Sequence, residues 1–447
     1  MDFSRLDGVF GRVLSESKIR AAIAQAGVFE RRRGGKLPPV VTFWLVLFMG
    51  LHREASIRSA LARLVLAAGE PSSWKGKVPH STSIAQARDR LGWEPFRALL
   101  RNLQPPEAVS DRWLDKQAIA IDGVNFRAAN SSENARLLGK ASTSKRTANW
   151  PLLRAVIAVG VHSHWVWDAA MAPYAKQASS DRLGEPWLAQ SMLERLPEDA
   201  VLVADRGYSH FAFFQGVETS GLACVVRAAK SHKGFRPRRF EVLEDGSELV
   251  TLRRKSTGDT LTLRRVVFRY QAKRTVPKKT KKGKPYEKRR KTLPTRVRVT
   301  LLTTLLDHER YPAQEIARLY RLRWEAEHAF DEIKTELLGA RVPFRSMTLT
   351  RILQEAYALL IVYCQLRETM SSSSQLAGVI QLRVSFARTL DFVRAALVAG
   401  LSADSLLAWL SREAILPPRR KDRFYPREVL ARTPKYRIRR PGKARAA

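Results

Sequence analysis

Residues 320–339, YRLRWEAEHAFDEIKTELLG, set Tyr320, Arg323, Glu327 and Lys334 at spacings of three, four and seven. On a helix those spacings share a face, so an aromatic hydroxyl, a guanidinium, a carboxylate and an ammonium would project together. An ordinary surface stripe looks the same, its Arg323 and Glu327 pair contributing only about 0.3 kcal/mol. Two aspartates shift the balance. Asp122 closes the apolar run AIAID and Asp205 closes VLVAD, each read as a buried strand running out into a loop, the place from which α/β sheets present their chemistry. Either aspartate alone is as readily a turn former. Three carboxylates drawn into a cleft of low dielectric repel one another and partly protonate unless cations neutralise them. Mg²⁺ (or Mn²⁺) does so with oxygen ligands, and a pair of ions activates water or a hydroxyl and stabilises the leaving oxygen of a phosphodiester. Asp122, Asp205 and Glu327 are therefore the catalytic and metal-holding candidates. Arg323 and Lys334 are read as holding backbone phosphates, with the Tyr320 hydroxyl donating to another phosphate oxygen. Arg206, next to Asp205, joins that phosphate-binding set.

The elements that must position these groups follow from periodicity and turn chemistry. The first hundred residues read as helices punctuated by Gly and Pro: SESKIRAAIAQAG, PPVVTFWLVLFMGLHR, SIRSALARLVLAAG, then STSIAQARDRLG and WEPFRALLRNL about a Gly-Trp turn. The last pair could dock on DNA in helix-turn-helix fashion or be a plain helical pair. From Lys116 the pattern changes to buried strands, AIAID, LLRAVIAVGV, WVWDAAMAPY and AVLVAD, with GEPWLAQSMLERL as a helix between them. A mixed α/β layer is implied. Between 221 and 305 the chain is β-rich, with Asp-Gly and Thr-Gly-Asp turns. Within it Lys273–Lys291 carries eleven basic residues and one acid, read as a mobile solvated loop suited to non-specific phosphate contact. Long helices follow Glu327, and Arg432–Ala447 is a basic arm with seven basic residues and no acid. The expected division is 1–112, helical and DNA-binding; 113–220 with 306–347, the catalytic core; 221–305, a β insertion; and 348–447, helical with a basic tail.

Composition bounds the function. In 447 residues, 79 Lys and Arg against 42 Asp and Glu leave a net charge of +37, more than solubility requires, so a polyanion is the expected partner, nucleic acid before acidic membrane. The most apolar run, Val40 to Leu51, is far shorter than the ~20 residues a spanning helix needs and reads as a core helix. No export signal is read at the start, and a cytoplasmic, nucleoid-associated location in a bacterium is expected. Cys224 and Cys364 sit in apolar contexts and read as buried thiols rather than a zinc site.

The pattern Tyr320-x2-Arg323-x3-Glu327-x6-Lys334 resembles the signature of the insertion sequence 4 family of DDE transposases. AIDG at Asp122, SENARLLGKAS, WPLLRAVIAVGVHSHWVWDAAMAPY with Glu185 further on, and LVADRGYSH at Asp205 resemble its successive blocks. STSIAQARDRLG resembles its N-terminal domain, and ILQEAYALLIVYCQLR and FYPREVL its C-terminal end. The resemblance implies an α/β fold with an RNase H-like catalytic core, a β-rich insertion between the second aspartate and the glutamate, an all-helical N-terminal domain and a helical C-terminal region. It further implies cut-and-paste DNA cleavage and strand transfer by a homodimer on double-stranded terminal inverted repeats and target DNA, through hairpin ends and a flipped base. No tryptophan lies between Tyr208 and Arg323, so base stacking would fall to Phe268 or Tyr270, each of which also reads as strand core. Asn130 and Asp331 depart from common family residues. A metal-dependent nuclease without strand transfer, or an inactive DNA-binding relative, are the alternatives.

Overall fold

The computed structural model describes the chain except residues 11–12, 30–35, 72–73, 75, 107–109, 144–145, 175–183, 230–236, 255, 280–284, 341 and 418–447, with backbone alone described at 8, 142–143, 146, 272–279 and 285–295. Met1–Ile415 form one compact unit. Leu416–Ala447 form a second, almost wholly outside the described residues, and both FYPREVL and the basic arm lie there.

Six helices come first: α1 (Ser4–Phe10), α2 (Glu16–Gln25), α3 (Pro39–Leu51), α4 (Ile57–Ala68), α5 (Ser81–Leu91) and α6 (Glu94–Asn102). Pro39 opens α3, where its missing N–H has no intrahelical partner to lose. Ser56 caps α4 by accepting from the Ser59 N–H at 3.1 Å, and Gly69 closes it at φ 76°. From Val40 to Leu51 every residue of α3 is buried, which is why its apolar run is continuous rather than one-sided. Among the described residues no helix is long and apolar enough to cross a membrane. The inner faces of α5 and α6 are committed to packing. Arg88 of α5 is buried, its Nε donating to Gln354 Oε1 at 3.0 Å, and Phe96 of α6 stacks on Phe43 with centroids 4.0 Å apart. Only outward residues such as Ser81, Ser83 and Arg90 remain exposed on α5.

The strands and helices that follow are β1 (Arg112–Trp113), β2 (Lys116–Arg127), α7 (Ser132–Leu138), β3 (Lys140–Thr143), β4 (Arg146–Gly160), β5 (Val166–Pro173), α8 (Glu185–Gln190), β6 (Ala200–Ala204), α9 (Phe211–Thr219) and β7 (Ala223–Arg227). Next come β8 (Arg238–Val242), β9 (Glu248–Arg253), β10 (Thr260–Lys279) and β11 (Pro285–Thr303), then α10 (Ala313–Arg321), α11 (Trp324–Asp331), α12 (Leu349–Leu376), α13 (Phe386–Ala399) and α14 (Ala403–Glu413). The described strands join in one sheet of order β3-β4-β2-β6-β7-β11-β10-β9-β8, with β1 on β2 and β5 on β4. At its centre β2, β6 and β7 run parallel, while β4 runs antiparallel to β2.

Both faces of this centre are covered. Ala118, Ala120, Val201 and Val203 pack with Leu319, Ala326, Ala329 and Ile361 of the C-terminal helices. Ile119, Ile121, Leu202 and Ala204 pack on the other side with Leu188 of α8 and Phe213, Phe214 and Val217 of α9. Parallel strands covered on two sides need apolar residues at consecutive positions, which accounts for AIAID and AVLVAD. The β insertion continues the same sheet, since β11 pairs with β7 from Leu301↔Arg227 to Thr303↔Val225.

The basic stretch Lys273–Lys291, expected to be a solvated loop, instead lies largely in the two arms of a long hairpin, β10 pairing with β11 from Arg264↔Thr303 out to Lys279↔Pro285. Its Thr, Val and Tyr residues favour extended backbone, and the ladder satisfies peptide groups that a loop would leave to water. Only 280–284, at the tip, lie outside the described residues.

The whole is braced by α12, buried almost throughout from Ile352 to Ser374. Its Glu355 pairs with Arg53 Nη1 at 2.5 Å, both side chains nearly inaccessible, and also accepts from Ser346 N–H at 3.1 Å. Such a buried pair ties the N-terminal helices to α12 and is costly to break from one side.

Candidate active site

Asp122 and Asp205 are brought together by strand register. β2 and β6 pair from Gln117↔Ala200 to Ile121↔Ala204, so the next residue of each strand is an aspartate. Neighbouring strands lie about 4.8 Å apart. Asp205 ends β6 as expected and caps a single 3₁₀ turn, Arg206–Tyr208, its Oδ1 accepting the Gly207 N–H at 2.6 Å. Asp122 departs from expectation. It is not at a strand end, because β2 continues to Arg127, paired with β4 from Asp122↔Ile157 to Arg127↔Leu152. The antiparallel partner carries the ladder onward after β6 has stopped, so Asp122 projects at the edge where its parallel neighbour is lost.

Glu327 arrives from α11, on the sheet face opposite α8. Arg323 joins it to Asp122: Nη1 lies 3.3 Å from Asp122 Oδ2 and Nη2 lies 3.0 Å from Glu327 Oε1. One guanidinium thus spans two of the three expected acids. Arg323 is 9% exposed and its plane lies over the Trp324 ring at 5.1 Å. Tyr320 is buried beside it, and burial raises its hydroxyl above the ordinary value against the pull of Arg323 and Arg227.

The expected single helical stripe is broken into three: α10 ends at Arg321, Leu322 and Arg323 form a turn, α11 runs to Asp331, and Glu332–Leu337 form a π turn. A π turn advances fewer degrees per residue than an α turn, so the exposed Lys334 leaves the phase set by Arg323 and Glu327. The anchor for the wide turn is Glu332. Its Oε2 accepts from Tyr363 Oη at 2.6 Å and faces His164 Nδ1 at 3.4 Å, and its Oε1 lies 3.5 Å from Arg367 Nη1. Burial opposes its ionisation, yet Arg367, His164 and Tyr363 together hold its carboxyl down at about 2. His164 lies in the turn between β4 and β5 at φ 55°, a left-handed conformation that histidine adopts more readily than most side chains, and its Nε2 faces Glu325 Oε2 at 3.2 Å.

The electrostatics of the cleft centre on Asp122. Burial raises its carboxyl to about 6; the Gly123 N–H, donating to Oδ1 at 2.8 Å, and Arg323 lower it, while the charges of Asp205 and Glu185 raise it further. Glu185 stands at the start of α8 and is also raised, by burial and by Asp205, with Arg154 opposing. A Cβ added at Gly123 would collide with the Glu185 carboxyl group. Tyr208 is fully buried with a hydroxyl that has no hydrogen-bond partner among the described residues, and the charges bearing on it are those of Glu185, Asp122 and Asp205.

The remaining expected residues lie around this centre. Arg206 is exposed in the turn after Asp205. Phe268 and Tyr270 share one side of β10, with ring centroids 6.3 Å apart; Phe268 is half-buried under the Arg321 guanidinium, and Tyr270 is 42% exposed. Asn130 accepts from Lys140 Nζ at 2.8 Å, and Asp331 is exposed. Sequence reasoning did not place Glu185, Gly123 or Tyr208 here. The resemblance named Glu185 after the WPLLRAVIAVGVHSHWVWDAAMAPY block, Gly123 within AIDG and Tyr208 within LVADRGYSH, but gave none of them a role.

These oxygen-only donors suit a hard divalent cation. Among the described residues no three carboxylate, thiol or imidazole groups are already closed around one ion position, and the Arg323 guanidinium contacts both Asp122 and Glu327. That is compatible with Mg²⁺, which commonly binds through one or two carboxylates and completes its shell with water and substrate phosphate.

The family model described as the transposase DDE domain matches residues 113–365, and that for the insertion element 4 transposase N-terminal region matches residues 7–101. The chain is 25% identical over 443 residues to the transposase InsG for insertion sequence element IS4 of Escherichia coli (strain K12), covering 95% of this chain and 92% of that protein. Among solved structures it is similar to the piggyBac transposase synaptic complex with hairpin DNA, at a TM-score of 0.43 and 10% identity, over 94% of this chain and 86% of that one.

Proposed function

Because the chain belongs to the transposase DDE domain family, a family of DNA-cleaving, strand-transferring enzymes, we propose that its chemistry runs at Asp122, Asp205 and Glu327 on the ends of an insertion sequence. The fold is α/β with an RNase H-like core, and the chain binds DNA. The substrate proposed is double-stranded DNA carrying terminal inverted repeats, cut and pasted into target DNA by a homodimer.

The observation that carries this reading is the Arg323 fork joining Asp122 of β2 to Glu327 of α11, with Asp205 level with Asp122 just past the last β2–β6 pair. The family's chemistry uses divalent metal; Mg²⁺ or Mn²⁺, as two ions, is the proposed form, with Asp122, Asp205 and Glu327 as its holders. The raised Asp122 carboxyl and the partnerless Tyr208 hydroxyl support the fit, because both mark negative charge and polar capacity that the protein's own groups leave unbalanced. Bound metal supplies Lewis-acid polarisation of the scissile phosphodiester and eases deprotonation of the attacking water or 3′-hydroxyl.

The chain's own residues do the rest. Arg323 neutralises Asp122 and Glu327 until cation and phosphate compete for its partners, and its fork geometry then suits a backbone phosphate. Tyr320, Lys334 and Arg206 are proposed as further phosphate contacts that hold the strand in line. The exposed Tyr270 ring, backed by Phe268, offers a stacking platform for an unpaired base.

The test uses the element's own end sequences as pre-cut duplexes with free 3′-hydroxyls, incubated with full-length protein, plasmid target and Mg²⁺. Joined products are expected from the native protein, and Glu327→Ala is expected to reduce joining and cleavage at least about 10³-fold, the range of a lost charge-stabilising group. Unchanged breakage by that variant removes Glu327 from the centre. Breakage by the native protein without any joined product favours a nuclease instead.

A further inference from the structure

We propose that Glu185 is a fourth carboxylate of the catalytic centre, an oxygen ligand for divalent metal beside Asp122 and Asp205. The inference rests on the metal-holding role assigned to that site and extends it to a residue outside the triad.

The first support is steric. Gly123 follows Asp122 on β2, and any side chain there would occupy the space of the Glu185 carboxyl group. The missing Cβ therefore lets a carboxylate from α8 rest on the strand backbone one residue from the central aspartate. Glycine is needed here for close approach, not for its backbone angles. The second support is the Tyr208 hydroxyl. It is sealed from solvent and lacks a partner among the described residues, and it lies in the field of Glu185, Asp122 and Asp205 together. A buried hydroxyl is rarely left without a partner. A carboxylate drawn to a cation, or a water held by one, would supply what it lacks, and Tyr208 then acts as a positioning residue beneath the acids.

Placement adds a third. Glu327 comes from the helices on one face of the sheet, and Glu185 from α8 on the other. Oxygen donors thus flank Asp122 from both sides. The Arg323 fork is engaged with Asp122 and Glu327; on the other side the charge of Arg154 acts on Glu185 against burial and Asp205, and its carboxyl nonetheless stays raised.

Full-length native protein, Asp122→Asn, Glu185→Gln and Gly123→Ala are titrated with Mn²⁺ alone, free ion being read by electron paramagnetic resonance, with circular dichroism checking the fold. Glu185→Gln is expected to weaken Mn²⁺ binding about tenfold or more with an unchanged spectrum. Gly123→Ala keeps every acid but displaces the Glu185 carboxyl group, and a comparable loss is expected. Should Glu185→Gln not fold, Glu185→Asp replaces it, with the same loss expected from the shortened reach. If Asp122→Asn loses Mn²⁺ while the Glu185 and Gly123 variants bind as the native protein does, Glu185 is not a ligand and the triad site stands. If Asp122→Asn also binds normally, the metal-holding role of the site fails and Glu185 falls with it.

Discussion

Asp122 and its neighbours show what the cleft costs the fold. Burial and the charges of Asp205 and Glu185 leave its carboxyl at about 6, above the ordinary 3.8, despite Arg323 and the Gly123 N–H. A folded-state value raised in this way means that the group's contribution to stability is fully present below about pH 3.8 and is lost as pH rises through about 6. In metal-free protein at pH 7.5, Asp122→Asn is accordingly expected to raise unfolding stability by about 1–3 kcal/mol while abolishing cleavage. Urea denaturation checks it, and an Asn variant less stable than native contradicts the electrostatic account. At this scale the sequence was informative about identity and poor about surroundings. Two apolar runs ending in Asp, and an Arg four residues before a Glu, were legible because strand and helix periods are local. Glu185 and Tyr208 were not, because their nearness to Asp122 depends on a glycine and on helix placement that no local pattern records.

Among the elements, the sequence showed where helices and strands lie but not how the helix bearing Glu327 is broken. At the start of the π turn Glu332–Leu337, Glu332 meets His164, Tyr363 and Arg367, which come from the turn after β4 and from α12. None of those partners lies within one helical turn, so the regular spacing from Tyr320 to Lys334 suggested one continuous stripe. The sign here is opposite to that of Asp122. With the carboxyl held at about 2 against an ordinary 4.5, Glu332 contributes stability that is present above about pH 4.5 and lost as pH falls through about 2. Glu332→Gln is expected to cost about 2–3 kcal/mol at pH 7, with the difference from native shrinking towards pH 2, as read from thermal unfolding across that range. A pH-independent difference would sink the ionic account of the turn. The basic hairpin repeats the lesson: its charge was plain in the sequence, while its pairing out to Lys279↔Pro285 was not, since charge runs read as loops when the partner strand is unknown.

For the molecule as a whole, a net charge of +37 makes phosphate neutralisation the largest contribution to DNA affinity. Displaced counterions give a salt dependence: with roughly six to ten phosphates contacted, non-specific binding is expected to fall about 10³- to 10⁵-fold between 50 and 200 mM salt, as followed by fluorescence anisotropy on a random duplex. A nearly flat profile would mean that the basic surface is not what holds DNA. The central claim is that acids from β2, β6 and α11 share one divalent-metal cleft. Fe²⁺ bound in place of Mg²⁺, with ascorbate and peroxide, cuts the backbone close to wherever the ion sits, and mass spectrometry maps the cuts. The account expects cleavage near residues 122, 205 and 327 together, suppressed by excess Mg²⁺; cuts confined to one of these segments, or lying elsewhere in the chain, would contradict it.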